Sequence, residues 1–117
     1  MVVVFGAGGD RDRAKRPLMG AVACEHADVV IVTSDNPRSE DPEAIVAAIL
    51  EGCGPGADVE IDRHAAIDRA IAMAEPGDVV VIAGKGHEQG QEFADGRKVP
   101  FDDVAVAREA LRARLVA

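Results

Sequence analysis

Short apolar runs alternate along this chain with longer stretches whose apolar positions recur every three or four residues. The runs Val2–Phe5, Val29–Thr33, Val59–Ile61 and Val79–Ala83 are rich in Val and Ile and read as buried strands. Between the first two, Pro17 opens a helix that extends to about Ala27. Asp41 then stands as an N-cap with Pro42 at the first helical position, Ile45, Ala48 and Ile49 supply the apolar stripe, and Gly52 ends the helix. Asp62 caps a third helix, with Ile67, Ala70, Ile71 and Ala74 at i, i+3, i+4 and i+7. Glu75-Pro76-Gly77-Asp78 is a stop and turn. Asp95-Gly96 marks the tip of a hairpin. Asp102 or Asp103 caps a last helix that shows Val104, Ala107, Leu111 and Leu115 on one face.

Apolar strands joined by helices predict an α/β fold, a Rossmann-like and mostly parallel sheet with helices on both faces, here followed by a β-hairpin. The length of 117 residues fits one domain, residues 1–117, with a modest core. That core must be aliphatic, because the chain has no Trp or Tyr and only three Phe. The formal charge of −8, from 13 Lys and Arg against 21 Asp and Glu, argues against a nucleic-acid or anionic-membrane surface. No apolar stretch is long enough for a transmembrane helix, and the amino terminus has no signal-peptide pattern, so the cytoplasm is the expected compartment. Cys24 and Cys53 lie far apart in sequence, without a CxxC, and read as reduced structural thiols.

The chemistry gathers in three loops that leave strand C-terminal ends, the side on which open α/β sheets bind ligands. The first, Gly6 to Arg16, combines glycines with Arg11, Arg13, Lys15 and Arg16 ahead of a helix, a setting for an anion or a solvated basic turn. It fails the dinucleotide pattern, since Arg11 stands where the third glycine belongs. The second is Thr33-Ser34-Asp35-Asn36-Pro37-Arg38. An Arg fork grips a carboxylate and an Asp holds an ammonium. A plain Asx-Pro turn is the competing reading. The third, Gly84-Lys85-Gly86-His87-Glu88, resembles the end of a P-loop but lacks its first glycine and its magnesium-holding Ser or Thr. His87 is open as a general base, a donor or a loop residue; His26 and His64 read as surface or packing residues. No cluster has metal-ligand spacing. Arg11 and Arg38 for carboxylates, with Asp35 and Glu88 for ammonium groups, match a substrate carrying two of each.

The segments Val4 to Asp12, Lys15 to Met19, Thr33 to Arg38, Asp62-Arg63, Gly77-Asp78, Ala83 to Glu88 and Phe101-Asp102-Asp103 resemble, in order, the carboxy-terminal domain of the MurE branch of the Mur ligases. The resemblance spans nearly the whole chain. It implies an ATP- and magnesium-dependent ligase that joins meso-diaminopimelate to UDP-MurNAc-L-Ala-D-Glu through an acyl phosphate, in peptidoglycan precursor synthesis. It also implies roles. Arg38 would hold the distal carboxylate and Arg11 the one beside the reacting amine. Asp35 and Asn36 would bond the same substrate, and the Gly84 carbonyl and Glu88 the distal ammonium. With lysine in place of diaminopimelate, Arg38 is expected to be left buried and unpaired.

The family's sugar-binding and ATP-binding domains, which would hold most of the ATP and magnesium, have no counterpart in this sequence. Neither does the strand and helix that open the family's domain. No catalytic residue is assigned in this chain, which is expected to be inactive as a ligase alone and to be a monomer. The competing readings are a stand-alone binding module for a diamino acid and a domain of another Mur-type or polyglutamate ligase.

Overall fold

Val2–Phe5 (β1) lies inside a four-stranded parallel sheet of order β3-β2-β1-β4, so the chain opens on a central strand. The computed structural model describes residues 1–9, 13–84, 90–93 and 96–116. β1 is followed by α1 (Lys15–His26), β2 (Val29–Val32), α2 (Pro42–Cys53), a short 3-10 turn (Gly54–Gly56) and β3 (Asp58–Val59). Then come α3 (Arg63–Met73), β4 (Val80–Ala83), an antiparallel pair β5 (Gly90–Glu92) and β6 (Lys98–Pro100), and α4 (Asp103–Val116). The α/β class, the parallel sheet and the late hairpin are as the periodicity predicts; Asp95, expected at the hairpin tip, lies outside the described residues.

Strand alternation divides the core in two. Val2, Val4 and Ile31 face α3 and α4, packing with Ala66, Ile67, Ala70, Ile71 and Val106. Phe5, Val30 and Val32 face the other way, against Ile45, Val46 and Ile49 of α2. The expected caps hold. Asp41 accepts from the Glu43 amide, Asp62 from those of His64 and Ala65, and Asp102 from those of Val104 and Ala105.

Several features differ from the sequence expectation, each for a local reason. α2 runs past Gly52 to Cys53 and is ended by Gly54, at φ 64°. α1 starts at Lys15, two residues before Pro17, because a proline in the first turn removes only an N–H that has no helical partner. β3 ends at Val59 because the Ile61 carbonyl is taken by the hydroxyls of Ser34, at 2.8 Å, and Thr33, at 3.3 Å. α4 is rotated from its expected face. Leu115 is 85% exposed and Val104 and Leu111 are both 49% exposed, while Val106 and Asp103 point inward. A buried ion pair from Asp103 sets that rotation, as described below.

Candidate ligand site at the strand ends

Strand order reverses direction between β1 and β4: β1 leads through α1 to β2 on one side, and β4 joins it from the other. The crevice above such a switch point is where open α/β sheets take ligands. The loops after β1, β2 and β4 meet there at backbone distance. A β-carbon built on Gly6 would lie 2.3 Å from the Thr33 carbonyl oxygen, and one on Gly9 would lie 1.7 Å from that of Pro37. The Gly9 amide donates to the Asn36 carbonyl at 2.6 Å. Only glycine lets these loops close on each other.

Asp35 is nearly buried, and its carboxylate faces the third loop: a β-carbon on Gly84 would lie 3.6 Å from its Oδ2 and 3.4 Å from the Gly6 carbonyl. Gly84 itself sits at φ 115°, a conformation that favours glycine. Gly6, Ala7, Gly8, Lys15, Arg16, Met19, Asp35 and Gly84 line a cleft of about 360 Å³. It shares Gly6, Lys15, Met19 and Gly84 with an adjoining apolar groove against Leu18 and Val22.

Arg38 stands in the left-handed region at φ 53°, the one non-glycine residue so placed among those described. Such a conformation costs roughly 1 kcal/mol or more and collects at functional sites. Its Nη1 donates to the Gly9 carbonyl at 2.9 Å, and its Nε lies 3.7 Å from the Glu92 carboxylate. The expectation that Arg38 would be buried and unpaired beside a ligand with one carboxylate therefore needs correction. The side chain is 23% exposed and already has Glu92 as a partner, because β5 lies along this loop.

That strand explains Asn36 as well. Its Oδ1 accepts from the Glu92 amide at 2.9 Å, and the Arg38 amide donates to the Glu92 carbonyl at 3.0 Å. Buried Gln91 donates from Nε2 to the Asp35 carbonyl at 2.8 Å and to Ser34 Oγ at 3.1 Å. The run is thus held across the fold by β5, with more than the local bonds of an Asx-Pro turn.

The basic loop is corrected in part. Arg16 is buried and makes a two-point ion pair with Glu40, at 2.9 and 2.8 Å, and also donates to the Gly8 carbonyl. It braces the loop, since a guanidinium held on both sides by one carboxylate is not offered to a ligand. Lys15 remains at the cleft wall. Arg11 and Glu88, the other expected ligand groups, lie outside the described residues, as do Lys85 and His87. His64 pairs with Asp68 on the exposed side of α3, and His26 ends α1, both as surface residues. Among the described residues, no group of three or more His, Cys, Asp or Glu is placed to hold a metal ion.

Sequence reasoning assigned no role to the pair that fixes the rim. Arg63 is 1% exposed; its Nε and Nη2 reach the two carboxylate oxygens of Asp103 at 2.8 and 2.7 Å. Its Nη1 donates to the Ser34 carbonyl at 3.0 Å and its Nη2 to the Ala83 carbonyl at 3.2 Å. Those carbonyls immediately precede Asp35 and Gly84. The clue in the sequence was positional: Arg63 follows the Asp62 cap and Asp103 follows Asp102, at helix starts that face the same rim.

Over 111 residues the chain is 62% identical to the UDP-N-acetylmuramoyl-L-alanyl-D-glutamate–2,6-diaminopimelate ligase of Caulobacter vibrioides, which covers 95% of this chain and 22% of that protein. It is 60% identical to the enzyme of the same name from Chromobacterium violaceum, over 94% of this chain and 22% of the relative. A solved structure of a ligase of that name superposes with a TM-score of 0.89 at 50% identity, covering 97% of this chain and 24% of that one. The chain thus spans under a quarter of the length of these relatives. The family model described as Mur ligase, glutamate ligase domain, matches residues 1–86. With residues 1–86 of its 117 inside that match and relatives about 60% identical over nearly all of its length, the chain belongs to the Mur ligase family.

Proposed function

We propose that this chain is the amino-acid-recruiting domain of an ATP-dependent ligase that adds meso-diaminopimelate to UDP-MurNAc-L-Ala-D-Glu during peptidoglycan precursor synthesis in the cytoplasm. The observation that carries the reading is the approach of the Asp35 carboxylate to Gly84 in the switch-point cleft, with Arg38 on the same loop reaching the Gly9 carbonyl beside it. Arg38 takes the distal carboxylate, sharing it with the resident Glu92. Asp35 and Asn36 bond the same substrate beside the Gly84 turn. Arg11 and Glu88 complete the set, at the second carboxylate and the distal ammonium. Every one of these residues belongs to one copy of the chain, so a monomer suffices. ATP and magnesium are held mainly by parts of the longer ligases outside the matched region, where they supply the activated acyl group. This chain supplies the amine in a fixed position and does not ligate alone.

Titration calorimetry of the chain with meso-diaminopimelate and with lysine tests the reading. The expected result is measurable heat with diaminopimelate and a weaker response with lysine, with no ligation by the chain alone. Equal binding of both amino acids would remove the two-carboxylate assignment.

A further inference from the structure

We propose that Cys24 and Cys53 form a thiol-modification site, a dithiol across the α1–α2 crossing that a small-molecule disulfide converts into an intramolecular disulfide. The two residues stand in different helices, 24 and 53 along the chain, yet the helices cross with their backbones in contact. A β-carbon on Gly20 would lie 2.1 Å from the Ile49 carbonyl oxygen, and one on Gly52 would lie 1.8 Å from that of Pro17. The same crossing brings Cys53 Sγ within 3.2 Å of a β-carbon built on Gly20, one turn before Cys24. The Cys53 thiol donates to the Gly20 carbonyl at 3.1 Å. In an α-helix that carbonyl also faces the amide of the residue four positions on, which here is Cys24. Cys24 is near enough to help raise the Cys53 thiol, after burial. Both cysteines are half-buried, so small reagents can reach them. Cys53 ends α2 ahead of Gly54, which sits at φ 64° in open space. The backbone on that side can yield to the torsion that a disulfide requires.

The exchange balances with a disulfide RSSR as oxidant. The Cys24 thiolate attacks one sulfur of RSSR, forming a mixed disulfide and releasing RS⁻. Cys53 then loses its proton to solvent, attacks the Cys24 sulfur and expels the second RS⁻. Two protein thiols are oxidised by two electrons in all, and RSSR is reduced to two RSH. Burial and the neighbouring Cys24 push the Cys53 thiol up to about 12. Cys53 therefore acts second, and the closing step should accelerate as pH rises.

The test is native incubation of the chain with oxidised glutathione, followed by non-reducing peptide mapping. The expected product has lost two hydrogens, joins the Cys24 peptide to the Cys53 peptide, melts at a higher temperature and reverts with dithiothreitol. Cys53→Ser should stop at a glutathione adduct on Cys24. If the wild-type chain instead carries two separate adducts, forms linked dimers or keeps both thiols while the unfolded chain reacts, the proposal fails.

Discussion

Arg63, the first residue of α3, closes a two-point ion pair on Asp103, in the first turn of α4, while holding the carbonyls that precede Asp35 and Gly84. One buried guanidinium thereby ties the ends of β2 and β4 to two helix starts. Breaking a buried pair from one side leaves an uncompensated charge, which costs about 3–5 kcal/mol. Asp103→Ala should lose stability on that scale in urea denaturation. The Arg63→Met/Asp103→Leu double variant should lose less than the sum of the two single changes. A strictly additive result would mean the pair is not coupled.

Gly9→Ala places a methyl group against the Pro37 carbonyl, where a β-carbon would lie 1.7 Å away. The two loops must separate, at a cost of about 1–3 kcal/mol by the usual scale of overpacking. The urea midpoint should fall, and the Asn36 and Arg38 amide resonances should shift in NMR spectra. Unchanged loop resonances would show that the loops yield elsewhere.

Under the proposed function Glu92, its oxygen 3.7 Å from the Arg38 Nε, would compete with the ligand carboxylate. Glu92→Gln should therefore tighten binding of meso-diaminopimelate several-fold in calorimetry, while lysine binding changes little. Weaker binding of diaminopimelate would instead make Glu92 part of the grip.

Arg38→Gly separates strain from recognition. Glycine accepts φ 53° freely, so the change relieves roughly 1 kcal/mol of backbone strain while removing the bond to Gly9 and the pairing with Glu92. Denaturation should show stability near that of the wild type, whereas calorimetry should show the preference for diaminopimelate over lysine abolished. Retained preference would take Arg38 out of recognition.

The Cys53 thiol has an ordinary value of 9.0 and is pushed up to about 12, chiefly by burial. A group raised in the folded state contributes stability in full below its unfolded value and loses it as pH climbs through the folded one. The melting temperature of the reduced wild-type chain should fall between pH 9.0 and about 12 more steeply than that of Cys53→Ala. Parallel curves would show that the thiol proton is not linked to folding.

Strands, caps and the α3 stripe were legible because period and capping chemistry act locally. Asp62 and Ile67 need only their own neighbours to declare a helix start and a buried face. The α4 face was not legible. Of the expected stripe Val104, Ala107, Leu111 and Leu115, only Ala107 packs on the core; Asp103 turns inward to meet Arg63, 40 positions away, and the other three turn outward. The Asp35–Arg38 run was legible as a loop at the end of β2, but its fastening by Gln91 and Glu92 was not, since each bond spans 56 or 57 positions. Arg16 misled for a related reason. A cation in a loop looks available until Glu40 is seen to hold it. Cys53 reaches the Gly20 carbonyl, 33 positions away, because Gly20 and Gly52 let two helices touch.

The contact between the first two loops is made by main chain, through Gly6 and Gly9. A molecule seized by Asp35 or Arg38 therefore pushes directly on the polypeptide that leads into α1. Two side chains reinforce that main-chain contact, Arg38 on the Gly9 carbonyl and Arg16 of α1 on Glu40. The second strand's grip and the first helix's position are geared together, and the teeth of that gear are two glycines.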